Sequence, residues 1–178
     1  GTMPSEYNFA FPLSARAGTG RTLHVPIGDQ FSESNWVEVA NASAEAVSFR
    51  LTAFGANGNV LGQIEDSLPP RGQKHFFATG FLAPGTHGVV RIEPSRANSV
   101  VAQSMFYFRD PQTGRMMAMY GSQAKQALGR ALFGSYNLFF TGMQNWLKVV
   151  NTSSSPARAQ VIVNSAQGSV EKVFDLAG

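Results

Sequence analysis

His24, His75 and His87 are the side chains best suited to hold a metal or move a proton near neutral pH. Their spacings fit neither two ligands on one helix face nor a zinc-type pair, and the chain has no Cys to complete a set. Glycoside hydrolysis would need two carboxyl groups held about 5–9.5 Å apart in different surroundings. The 11 acidic residues include one adjacent pair, Glu65-Asp66, and nothing in the sequence isolates a working pair in apolar surroundings. There is no G-x-S-x-G elbow, no P-loop and no G-x-G-x-x-G following a strand. "GTGR", Gly18 to Arg21, is a Gly turn without a helix to receive a phosphate. The sequence therefore assigns no catalytic residue, no metal ligand and no cofactor, and reads as non-enzymatic. Trp36 and Trp146 could stack on a sugar ring. Their size favours a second role, as plugs of the core at the start of a strand.

The elements that carry these residues occur twice. Asn35 to Val60 aligns without gaps on Asn145 to Val170, at an offset of 110. Identical pairs are Asn35/Asn145, Trp36/Trp146, Val39/Val149, Asn41/Asn151, Ser43/Ser153, Ala56/Ala166, Gly58/Gly168 and Val60/Val170. Chance would give about one or two such pairs. Upstream, Gly20 to Leu23 resembles Gly129 to Leu132, and Asn8 to Arg16 resembles Met117 to Lys125 more weakly. A period of this length is too long for a solenoid unit of about 20–50 residues and suits a β-sandwich domain of about 100.

Each shared position has a physical reading. Val37 and Val39 alternate with Glu38, as Leu147 and Val149 alternate with Lys148, which describes strands with one buried face. Asn41 and Asn151 close the following loops, because an Asn side chain can bond to the backbone two residues on. Both Asn residues also stand in N-x-S triplets that fit a glycosylation acceptor. Gly58 and Gly168 stand where a hairpin needs positive φ. Further strands are expected over Val60 to Leu68, Gln73 to Phe81, His87 to Pro94 and Ser99 to Asp110, with a turn at Asp110 to Gly114. Gly121 to Leu132 is the one helix candidate, and its Gly- and Pro-bearing counterpart favours a loop. "HFF" (His75 to Phe77) and "RMMAMY" (Arg115 to Tyr120) read as core or interdomain packing, or as an apolar contact patch.

The expected fold class is all-β, an antiparallel sandwich with a second, partial repeat of the same design. Residues 5–113 form the complete repeat and residues 114–178 the partial one, packed on the first or completed by a partner. The core of the first is expected to include Val37, Val39, Leu51, Val90, Ile92 and Phe108. The partial repeat lacks counterparts for Pro69 to Asp110, so it must cover apolar residues such as those in Leu132 to Phe140 by some contact. Phe139, Phe140 and Trp146 are expected at that interface.

Composition narrows the class of function. Hydrophobic residues make up 43%, enough for a packed core, while only 14% are charged. The 14 basic residues, 10 Arg and 4 Lys, are spread along the chain, which argues against a nucleic-acid partner. No apolar run is long enough for a membrane span, and no signal peptide is visible. The opening Gly1-Thr2-Met3 reads as a remnant added ahead of the native chain.

The twin "NW(V/L)xVxN(A/T)S" strands, the Gly turns and "LPPRGQ" at Leu68 to Gln73 resemble tandem immunoglobulin-like β-sandwich repeats of bacterial exported and cell-surface proteins. The resemblance implies a structural or adhesive module at the cell surface, outside the cell or in the periplasm. The alternative it allows is a carbohydrate- or peptide-binding module accessory to a larger protein. The partners implied are a protein or a second copy meeting the partial repeat, or a glycan.

Overall fold

The computed structural model describes residues 18, 22–29, 33–126, 131–132 and 147–178. The chain is all-β with antiparallel sheets. Its strands are β1 (Leu23–Gly28), β2 (Ser34–Asn41), β3 (Val47–Gly55), β4 (Val60–Leu68), β5 (Gln73–Phe77), β6 (His87–Pro94), β7 (Val100–Arg109), β8 (Met116–Gln123), β9 (Ala157–Ser165) and β10 (Gly168–Leu176). A short 3-10 turn, Thr79–Phe81, follows β5. The strands form two four-stranded sheets, ordered β1-β6-β3-β4 and β5-β2-β7-β8, and one hairpin, β9-β10. Among the described residues, no helix is long and apolar enough to cross a membrane.

Alternation builds the strands and selects the buried side. In β2, Asn35, Val37, Val39 and Asn41 are buried while Ser34, Trp36, Glu38 and Ala40 are half-exposed. β3 buries Val47, Phe49, Leu51 and Ala53, and β6 buries Val90 and Ile92. These residues join Leu23, Val25 and Ile27 of β1 in one core, to which both four-stranded sheets contribute. Phe108 departs from expectation. It is half-buried, because the register shifts between Phe108 and Arg109 as the strand ends, and Phe106 fills the core instead.

The loop after β2 is built by side chains. The Asn41 Oδ1 accepts from Ser43 N at 2.9 Å and Ser43 Oγ at 2.7 Å, and its Nδ2 donates to Glu45 O at 2.7 Å and Pro69 O at 2.9 Å. This is the Asx turn expected from the sequence. With its amide nitrogen held this way and the residue buried, Asn41 is not available as a glycosylation acceptor in the folded chain. The pattern recurs at Asn151. Its Oδ1 accepts from Ser153 N at 3.1 Å and Ser153 Oγ at 2.9 Å, and its Nδ2 donates to Ser155 O at 2.7 Å and Ala177 O at 2.6 Å. Gly58 and Gly168 both adopt positive φ, 81° and 125°, as their hairpin turns require.

Gly121 to Gln123, the start of the segment expected to be a loop, are the end of the strand Met116–Gln123. β8 pairs with β7, Phe106 with Tyr120 and Gln103 with Gln123, so the helix candidate from Gly121 begins inside a strand. β9 and β10 pair with each other and are mostly exposed on both faces. Among the described residues, this part approaches the rest of the chain at Lys148 and at Gly178. The Lys148 ammonium lies 4.5 Å from the Phe106 ring centroid. A Cβ added at Gly58 would meet the Gly178 carbonyl oxygen, so only Gly allows that approach. Phe139, Phe140 and Trp146 lie outside the described residues, while Leu132, at the start of the same apolar stretch, is 69% exposed.

Candidate functional site

The outer face of the β5-β2-β7-β8 sheet gathers the residues able to recognise a ligand. Register places Phe77 opposite Trp36 and His75 opposite Glu38 on one side of β2. On the other side Tyr107 stands opposite Ser34 and Gln103 opposite Glu38. Residues directly opposite on one face of an antiparallel pair bring their side chains together. Ser34, Trp36, Glu38, His75, Tyr107 and Arg109 line an open depression of about 260 Å³.

The aromatic part is preformed. The Trp36 and Phe77 rings lie 5.1 Å apart at 51°, and Phe77 is 48% exposed. Trp36 Nε1 donates to Ser34 Oγ at 3.3 Å, which fixes the indole orientation. Below them, Asn35 anchors the strand end. Its Nδ2 donates to Ser104 Oγ at 2.7 Å and Met105 O at 2.9 Å, and its Oδ1 accepts from Gly28 N at 3.2 Å. The backbone N–H of Asn35 donates to Thr79 Oγ1 at 2.8 Å, tying β2 to the turn after Phe77.

The polar part surrounds one carboxylate. Glu38 accepts from Gln103 Nε2 at 2.6 Å, and His75 Nδ1 stands 3.8 Å from its other oxygen. That second contact is an ion pair only while His75 is protonated. Burial, and then the negative charge of Glu38, push the Tyr107 phenol above its ordinary range, so it stays a neutral donor and acceptor near neutral pH. Arg109 donates one Nη1 hydrogen bond to Gly114 O at 3.1 Å, and a guanidinium has further donors to offer. The lining holds one carboxylate, where glycosidic bond cleavage commonly uses two. This arrangement can stack a flat apolar face and hydrogen-bond the hydroxyls around it.

Trp36 corrects the sequence reading. It stands on the outer face and does not plug the core, because it shares strand parity with Ser34 and Glu38 and not with the buried Val37. The signal was present in the outward Glu38, and the bulk of the indole obscured it. Phe77, Tyr107, His75 and Arg109 were not assigned to a site, since only cross-strand register brings them to Trp36. His24 and His87 lie on β1 and β6 of the other sheet, away from His75 on β5. Among the described residues, no group of three or more His, Asp or Glu is placed to hold a metal. The "HFF" run divides, with Phe76 packed against the core and Phe77 on the outer face. Of the Met cluster, Met117 is 59% exposed on the edge strand β8.

No protein-family model matches the chain, and no curated protein matches it. Among solved structures it is similar to one titled "Crystal Structure of Thermotoga maritima 1070". The identity is 13%, the TM-score is 0.48, and the match covers 61% of this chain and 96% of that one.

Proposed function

We propose that this protein is a non-enzymatic, carbohydrate-binding module that holds glycan chains on the outer face of its β5-β2-β7-β8 sheet. The supporting observation is the half-buried Trp36, packed against the exposed Phe77, lining one open depression together with Glu38, His75 and Tyr107. A pyranose ring offers the matching chemistry, a C–H face for the indole and a rim of hydroxyls for the polar groups. Aromatic side chains beside a few convergent polar groups are a common lining of ligand-binding sites. The open shape suits part of an extended polysaccharide better than an enclosed small molecule.

In this reading the module is of immunoglobulin-like sandwich type and belongs to an exported bacterial protein, where glycan binding gives adhesion. The recurrence of the Asn41 hydrogen bonds at Asn151 supports a second, partial repeat within residues 114–178. It also favours a second reading, a structural spacer in an array of such units.

The test is a glycan-array screen followed by calorimetry on the best binder, with Trp36→Ala and Glu38→Gln beside the unchanged chain. Trp36→Ala is expected to weaken binding by at least about tenfold, with circular dichroism unchanged because the residue faces outward. Absence of binding to any glycan at millimolar concentration, or binding indifferent to both substitutions, removes the carbohydrate reading.

A further inference from the structure

The hydrogen-bonding capacity left open in the depression on the β5-β2-β7-β8 sheet differs between its two ends. At one end Glu38 is already engaged. It accepts from Gln103 Nε2 at 2.6 Å, and His75 Nδ1 stands 3.8 Å from its other oxygen. At the other end stand Ser34, Tyr107 and Arg109, with Tyr107 opposite Ser34 across the β2-β7 pair and Arg109 further along β7. Their donors are open. Ser34 Oγ accepts from Trp36 Nε1 at 3.3 Å, and a hydroxyl that accepts keeps its proton to donate. Among the described residues, the Tyr107 hydroxyl makes no hydrogen bond to protein. Arg109 gives one N–H to Gly114 O and forms no salt bridge.

The protein's own carboxylates are held away from this donor end. Glu38 and Ser34 share one face of β2 with Trp36 between them, so they stand about 13 Å apart along the strand. Asp110, next in the chain to Arg109, is committed to its own turn, where its Oδ1 accepts from the N–H groups of Gln112 and Thr113. A guanidinium pairs best with a planar carboxylate, through two parallel hydrogen bonds. The chain's formal net charge of +3 also favours the approach of an anionic polymer.

We propose, on the carbohydrate reading of this depression, that the glycan it holds is acidic, a uronic acid polymer. Arg109 takes the carboxylate of one sugar, Tyr107 and Ser34 donate to the oxygens beside it, and the ring stacks on Trp36. Glu38, at the far end, accepts from hydroxyls of the neighbouring sugar.

The test is calorimetry on the full chain with oligomers of galacturonate, glucuronate and mannuronate, each as the free acid and as its methyl ester. Esterification removes the charge and keeps the ring and its hydroxyls. The free acid of at least one oligomer is expected to bind about tenfold more tightly than its ester. That preference is expected to shrink as salt is raised. Arg109→Gln is expected to make acid and ester equal, and Trp36→Ala to weaken both. Acid and ester binding alike, or neutral glycans alone binding, with either still sensitive to Trp36→Ala, overturns the acidic ligand and leaves the carbohydrate reading standing. A preference for the acid that survives Arg109→Gln overturns the role of Arg109. Tighter binding of sulfated oligosaccharides than of any uronic acid oligomer assigns the anion to a sulfate ester and overturns the carboxylate. Absence of binding to every glycan, acidic or neutral, removes both readings.

Discussion

Lys148 offers the sharpest test of how the two parts of the chain are held together. Its ammonium sits over the Phe106 ring, 4.5 Å from the centroid, and lies 3.5 Å from where a Cβ on Gly28 would be. Glu33, only 3% exposed, places Oε1 3.1 Å from the same point, and Tyr120 stacks on Phe106 with centroids 4.4 Å apart. Although the Lys148 residue is exposed, partial desolvation of its ammonium lowers its pKa, and the nearby Glu33 carboxylate offsets part of that. Lys148→Met keeps the stem and removes the charge. A partly desolvated cation–π contact contributes about 0.5–2 kcal/mol, and a buried carboxylate losing a cation costs about 1–3 kcal/mol. Glu33 keeps other interactions, so the combined loss is expected near about 1–3 kcal/mol. In a chain of this size that lowers Tm by about 2–12 °C. Thermal melting at neutral pH reads the loss, and Glu33→Gln supplies the double-mutant cycle. A coupling of at least about 1 kcal/mol is expected, because removing both partners leaves no lone buried charge. A change below about 0.5 kcal/mol with strict additivity would refute the argument that Lys148 compensates Glu33.

Asn41→Ala removes a buried side chain whose part-buried bonds reach the Pro69 carbonyl and the Ser43 N–H, and is expected to cost about 1–3 kcal/mol by chemical denaturation. Asn151→Ala removes the same bonds where water replaces them, and is expected to cost under about 1 kcal/mol; equal losses would contradict this. Burial, with the Glu33 charge, raises the Tyr120 phenol from 10.0 to about 12. The stability this contributes is fully present below pH 10.0 and is lost as pH rises towards about 12, so Tm should fall over that interval and Tyr120→Phe should flatten the fall. Desolvation, and then Arg91, hold His24 below 6.5, so the unfolded chain takes up the proton first on acidification. Stability should therefore drop as pH falls below 6.5, and a His24→Gln chain whose melting retains the same slope would exclude His24 as the cause.

Local pattern determined much of this protein by itself. The alternation of Val37 and Val39 with Glu38, and of Val90 and Ile92 with Arg91, is a period of two that can bury one face only, and the structure buries those residues. Gly58, Gly168, Asn41 and Asn151 answer to φ and to bonds within a few residues, so their turns were also legible. The candidate site was not. Trp36, Phe77 and Tyr107 are brought onto one face by the register of β2 with β5 and β7, a relation between residues far apart in the chain. Alternation names two faces but does not say which distant strand will lie alongside, and a slip of one residue would turn every side chain over. The same holds for Lys148. Nothing in "NWLKVV" marks it as the cation for Phe106, because the niche exists only once Gly28, Glu33 and Phe106 have been assembled from different segments around the core. Long-range packing decided these contacts, since only a shared core repays the entropy of bringing distant segments together.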